Sequence, residues 1–197
     1  PGTTELGIVS SDGIRIWNPS QQSLVKWLTQ SVSAGVTTTC WGSRAKSLAY
    51  GTFGGEVVLV DVEADETIWR ISVPSERPAE REVSGLSWEP QDSRLAITTL
   101  DGTILIADGE TGQITDTILP PANATAATTV AWHASGDWLA AGYDSGIVSL
   151  LNTETWEHEW VHTIGAINVG DLSWSPDAEL LVAVAEHAFT FTVAGEM

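Results

Sequence analysis

The chain has 197 residues, 43% of them apolar, which suits one globular domain with a sizeable core and leaves little room for two ordinary ones. Its 26 Asp plus Glu face only 8 Lys plus Arg, a net charge of −18, and no Lys or Arg follows Arg94, which argues against a nucleic-acid or anionic-membrane surface. Cys40 stands alone, excluding an internal disulfide framework and any Cys-based zinc site.

Along the chain one pattern recurs. Trp41, Trp88, Trp132 and Trp174 follow each other at spacings of 47, 44 and 42 residues. Seven residues after each stands Leu48, Leu95, Leu139 or Leu181, and seven further on Gly55, Gly102, Gly146 or, in the last copy, Ala188. Leu6 and Gly13 keep the seven-residue step, so a fifth copy opens the chain without its Trp. Each unit reads as four short β segments. In the clearest copy they are 83–88, 94–99, 103–107 and 113–119, separated by a Pro/Asp turn, by Asp101-Gly102 and by Glu110-Thr111-Gly112. Asp-Gly between apolar runs predicts a two-residue hairpin, because a type I′ turn needs positive φ at both central positions. The middle strands (57–60, 104–107, 180–185) are almost continuously apolar, the pattern of a sheet buried on both faces. Small four-stranded sheets repeated about every 44 residues predict an all-β stack of blades around an axis.

These features resemble the WD-repeat β-propeller family, over the whole chain. The resemblance rests on the apolar-Trp end of the first strand, the Trp174-Ser175-Pro176-Asp177 turn, and the Asp-Gly hairpins at Asp12-Gly13 and Asp101-Gly102. It rests also on the family's Trp-Asp position, here Trp17-Asn18, Val60-Asp61, Ala107-Asp108 and Leu151-Asn152. The Gly-His pair of many family repeats is missing, which marks a divergent, bacterial-type member. With strands lettered a to d in family order, the resemblance implies a partial blade (b, c, d) over 1–33. Three blades follow over 34–73, 83–119 and 126–164, then a partial blade (a, b, c) over 168–197, about four and a half in all. Pro1 is not Met and no basic, hydrophobic leader follows it, so the N-terminus reads as a cut or mature end. Two completions of the open blades are expected: a polypeptide that continues past both ends, or strands supplied in trans at the free edges.

His158-Glu159-Trp160-Val161-His162 matches the zinc-protease pattern H-E-x-x-H, whose chemistry needs a helix. Here it falls on a d strand, where four residues span roughly 13 Å, too far for two imidazoles to share one ion. No metal and no cofactor is expected. The repeated Trp residues are assigned to blade packing by their register. Trp27, Trp69, Trp156 and Trp160 lie on or near outer d strands, where the register does not require them, and are candidate partner contacts. A second candidate surface is the rim shared by the b–c turns and d–a loops, with Phe53, Glu76, Arg77, Arg81, Asp101, Tyr143 and Asp144. Loops on a rigid scaffold are where binding concentrates.

The resemblance implies a non-enzymatic interaction scaffold, or the sensing or docking module of a larger protein. A ligand-binding or catalytic propeller using its central channel is the alternative, and a structural oligomer a third. The a strands offer that channel only hydroxyls and Asp171. Partners are expected to be proteins with a neutral or basic surface, with neither nucleic acid nor membrane among them. A cytoplasmic location is favoured.

Overall fold

The computed structural model describes residues 6–10, 13–28, 35–42, 47–64, 66–74, 78–91, 93–165 and 167–196. Within them lie eighteen strands in five antiparallel sheets, each strand paired with its neighbours in sequence. The first sheet holds β1 (Leu6–Ser10), β2 (Gly13–Asn18) and β3 (Ser23–Leu28). The second holds β4 (Val36–Trp41), β5 (Ser47–Thr52), β6 (Glu56–Asp61) and β7 (Glu66–Ser72). The third comprises β8 (Val83–Trp88), β9 (Arg94–Thr99), β10 (Ile104–Asp108) and β11 (Ile114–Ile118). In the fourth are β12 (Ala127–Trp132), β13 (Trp138–Tyr143), β14 (Ile147–Asn152) and β15 (His158–Thr163). The fifth has β16 (Asp171–Trp174), β17 (Leu180–Val184) and β18 (Ala188–Thr192).

Turn chemistry sets the hairpins. Gly55, Gly102 and Gly146 end the turns between the second and third strands of their sheets with φ of +75°, +88° and +72°, values that a residue with a Cβ adopts only under strain. The expected two-residue type I′ hairpin is corrected: Asp101 is not at positive φ, and the Gly102 N–H closes a longer turn on Thr99 O at 3.0 Å, so only the glycine takes the left-handed conformation. The strands they join are buried on both faces because alternate residues feed different layers. In the second sheet Ala49, Val57 and Leu59 pack toward the third, while Tyr50, Val58 and Val60 pack toward the first. In the third sheet Ile97, Leu105 and Ala107 face back, and Ala96, Ile104 and Ile106 face forward. Each hydrophobic cluster is thus the filling between two neighbouring sheets, which is why the middle strands lack the polar alternation of a one-sided sheet.

The Trp lattice occupies the same layers. Trp88 and Trp132 are buried, and Trp41 and Trp174 half-buried, each in the cluster shared with the preceding sheet. First strands β4, β8, β12 and β16 pack side by side along the inner edge of the stack. At the outer edge β3, β7, β11 and β15 each carry a register shift at the same place, two residues short of the end of the partner strand. A bulge there twists the free edge and discourages a further strand from pairing with it.

Candidate functional site

One rim of the stack is built from turns that hold loops. The N–H of Phe53 donates to Gly35 O at 3.1 Å, that of Leu100 to Glu82 O at 3.1 Å and that of Asp144 to Ala126 O at 3.0 Å. In each case the turn after the second strand pins the residue just before the first strand of its own sheet. The turn glycines complete the arrangement: a Cβ on Gly55 would meet Arg81, on Gly102 the Thr125 carbonyl, and on Gly146 the Gly165 carbonyl.

On that frame Phe53 stands 60% exposed, its ring against Gly35, and the exposed Arg81 lies along Gly55. Glu82 beside it is partly buried, which pushes its carboxyl above the ordinary range. Asp101 is turned into its own hairpin, accepting the Thr99 hydroxyl at 2.6 Å and the Thr103 N–H at 3.0 Å. Asp144 is exposed and accepts the Thr125 hydroxyl. Glu76 and Arg77 lie outside the described residues. Tyr143 corrects the expectation of a rim contact: it is 0% exposed and packs with Ala141 and Ile147 in the layer between the third and fourth sheets. Burial pushes its hydroxyl up to about 12.

Among the outer tryptophans, Trp69 corrects the same expectation. Trp69 is only 7% exposed, and its indole N–H donates to Gly109 O of the next sheet at 3.1 Å. Trp160 is half-buried and donates to Val193 O at 2.9 Å. Trp156, with φ of +59°, packs its ring edge-on to Trp132, centroids 6.1 Å apart. These three rings fill seams between sheets: Trp69 and Trp160 reach from an outer strand to the next sheet, and Trp156, in the turn before β15, packs in the layer shared with the preceding sheet. Trp27 alone of the four remains an exposed ring, 46% accessible, with the Arg15 guanidinium 4.7 Å from its centroid.

A second circle of contacts ties the inner edge. The hydroxyls of Thr37, Ser84 and Thr128 donate to Val83 O, Ala127 O and Val169 O at 2.5, 2.6 and 2.6 Å, one sheet onward in each case. Three of the hydroxyls that the sequence placed at the channel are therefore engaged in joining blades. The segment 158–162 lies in strand β15, where His162 shares a hydrogen bond with Gly195 O at 2.9 Å and stacks on Phe191. His158 is half-buried, and its pKa is lowered by that burial.

Comparison with known proteins matches these sheets to repeats already described. Residues 117–151 match the family "WD domain, G-beta repeat", and residues 66–120 match "Anaphase-promoting complex subunit 4 WD40 domain". A chain in a crystal structure of the mitotic checkpoint complex superposes with a TM-score of 0.85 over 98% of this chain. The chain carries WD repeats in a β-propeller fold. It spans 58% of that structural relative and shares 19% identity with it, so the likeness is one of fold. Among curated proteins none matches. As 1714 chains of solved structures match, the propeller by itself selects no activity.

In this WD-repeat propeller the Trp-Asp position has a local job. Asp61, Asp108 and Asn152 each accept two backbone N–H groups of the following turn on Oδ1, at 2.8 to 3.2 Å, and Asn18 accepts one. Acid and amide serve equally because only the oxygen is used. Asp108 also takes the Thr111 hydroxyl, and these bonds hold its carboxyl below the usual range. The Trp half of the signature makes no such bond and is free to become Val60, Ala107 or Leu151. Among the described residues no group of three or more His, Cys, Asp or Glu could hold a metal ion.

Proposed function

We propose that the chain is a non-enzymatic protein-docking module, an interaction scaffold or the sensing part of a larger protein, and that it binds through the loop rim around Phe53. The observation that carries this reading is Phe53 itself. A large apolar ring stands mostly in solvent on a turn pinned by a backbone hydrogen bond, beside an exposed arginine. Rigid presentation of an aromatic anchor lowers the entropy lost on binding. The engagement of Thr37, Ser84 and Thr128 between sheets favours docking over channel chemistry, since none of these hydroxyls is free to act on a substrate without opening a seam.

The partner surface is neutral or basic overall. With a net charge of −18, the long-range field draws cations and repels phosphate. The test is affinity capture from the native host with wild-type protein, Phe53→Ser and Arg81→Glu, each checked for an unchanged urea midpoint, with Trp27→Ser as an off-rim control. Loss of one captured protein by the rim variants alone supports the proposal. A partner retained by both rim variants and lost with Trp27→Ser would move the docking surface to the outer face and overturn it.

A further inference from the structure

The outer seams obey a rule that one seam breaks. The first residue after the third strand of a sheet is Val62, Gly109, Thr153 or Val193, and in all four its carbonyl accepts a side-chain donor from the preceding sheet. The donors are Lys26 Nζ at 2.9 Å, Trp69 Nε1 at 3.1 Å, Arg94 Nη1 at 3.2 Å and Trp160 Nε1 at 2.9 Å. Lys26, Trp69 and Trp160 occupy one register position on the outer strand, opposite Ile16, Leu59 and Leu150. The third sheet has Asp116 there, opposite Ile106, and a carboxylate cannot donate to a carbonyl. Arg94, from the second strand, reaches across instead.

The steric partners exchange as well. Gly112 and Gly195, at φ of +73° and +82°, lie against the Trp69 and Trp160 rings, where a Cβ would stand 2.8 and 3.0 Å from ring carbons. The matching position beyond Asp116 is Trp156, also at positive φ. The indole thus enters this seam from the opposite side, and Arg94 lies over the two rings, 4.9 Å from Trp132 and 5.4 Å from Trp156.

We propose that the seam between the third and fourth sheets is an ionically controlled joint, closed by Arg94 in the hands of Glu89 and released when that carboxylate is neutralised or screened. Glu89 grips Arg94 with Oε1 to Nη2 at 2.7 Å and Oε2 to Nε at 3.2 Å, leaving Nη1 aimed at Thr153 O. Ser93 donates to the same carboxylate, and Gly136 of the next sheet, at φ +83°, lies close enough that a Cβ would be 3.3 Å from Oε1. Among the described residues the other groups around the guanidinium are acids or neutral. Asp108, paired with Arg94 across the ladder, is turned into its own turn. Asp137, Glu154 and Glu157 are exposed on the fourth sheet, and His133 is committed to Ser135 and Ala178. None of them replaces the two-point grip of Glu89. The indole latches at Gly109 and Val193 carry no charge and lack this sensitivity.

Amide hydrogen exchange on the whole chain tests the joint, comparing the turns at 109–113 and 153–157. At neutral pH, Glu89→Gln is expected to reduce protection of the Trp156 and Asn152 amides roughly tenfold, with the Gly112 amide unchanged. Raising salt from low to about 1 M should shift protection in the same direction by a smaller factor in the wild type, because a largely buried pair is only partly screened, and here no substitution disturbs folding. Asp116→Trp combined with Trp156→Gly, which builds the indole latch into this seam, should remove the salt dependence. Equal loss of protection at both turns, or none at 153–157 under salt, would overturn the proposal.

Discussion

Substituting Gly102 isolates how much of the fold rests on one hairpin. Its φ is +88°, and a Cβ there would strike the Thr125 carbonyl oxygen, with the Pro120 ring 3.1 Å away. The conformational part of Gly102→Val is about 1–2 kcal/mol, the cost of a Cβ at positive φ, and β-branching adds to it. The collision adds a further 1–3 kcal/mol, typical of overpacking, because the obstacle is backbone and cannot rotate away. A total of about 3 kcal/mol is expected, a urea midpoint shift on the order of 1 M. Gly136→Ala supplies the comparison. It has a similar φ of +83°, but its Cβ would meet no backbone atom and only touch the Glu89 carboxylate, at 3.3 Å, which a shift of a few tenths of an ångström relieves. The loss there should stay near 1 kcal/mol. An unchanged midpoint for Gly102→Val, or equal losses for Gly102→Ala and Gly136→Ala, would refute the reasoning that this turn is clamped by its loop.

Other consequences are open to simpler measurement. Trp69→Phe keeps most of the ring but removes the donor to Gly109 O, and should cost on the order of 1 kcal/mol in chemical denaturation. Burial raises the Glu89 carboxyl, but the bonds from Arg94 and Ser93 and the Arg94 charge outweigh it, so its folded pKa lies below the ordinary 4.5. Its contribution is therefore fully present above 4.5 and lost as pH falls through the lower folded value, and acid-unfolding curves of wild type and Glu89→Gln should converge only in that acid range. Association with a captured partner should weaken as salt rises from about 50 to 500 mM, and salt-independent binding would contradict a basic partner surface.

Much of the architecture was legible because it is local. The Asp101-Gly102 turn and the apolar runs around it place four strands within a residue of where they lie, since positive φ and double-sided burial leave direct marks on composition. The seams were not legible. Their carbonyl acceptors have no side-chain signature, and their donors are Lys, Trp and Arg in turn, joining residues 33 to 59 apart in the chain. Tyr143 was misplaced for a related reason. Its counterparts Thr52 and Thr99 cap their own turns, so the position reads as polar rim. The available signal was the small pair Ala141 and Ser149, where the second sheet has Tyr50 and Val58 and the third Ile97 and Leu105. A ring two residues further along the same face, Tyr143, takes up that missing volume.

The bare faces of the first and fifth sheets give a last prediction, in which apolar burial and charge oppose each other. Ile14 and Ile16 point into the layer with the second sheet, so Arg15 and its cross-strand partner Trp27 face away from it. Leu6, Ile8 and Val25 are also exposed on the first sheet, as are Leu180 and Val184 on the fifth. Each of these six apolar side chains is about half accessible, so covering it is worth about 1 kcal/mol, half of a full burial. Docking the two faces would then yield about 6 kcal/mol, near the lower bound of the entropy lost on association. Repulsion between two chains of net charge −18 adds to that cost at low salt. The chain should therefore sediment as a monomer at micromolar concentration in dilute buffer. It should associate in about 0.5 M sulfate, which screens the charge and strengthens apolar burial together. Trp27→Lys, which breaks the apolar face without touching a seam, should abolish that association and leave the denaturation midpoint within about 0.5 kcal/mol of the wild type. A tight dimer in dilute buffer, or association that survives Trp27→Lys, would show that these faces do not govern how the chain meets another.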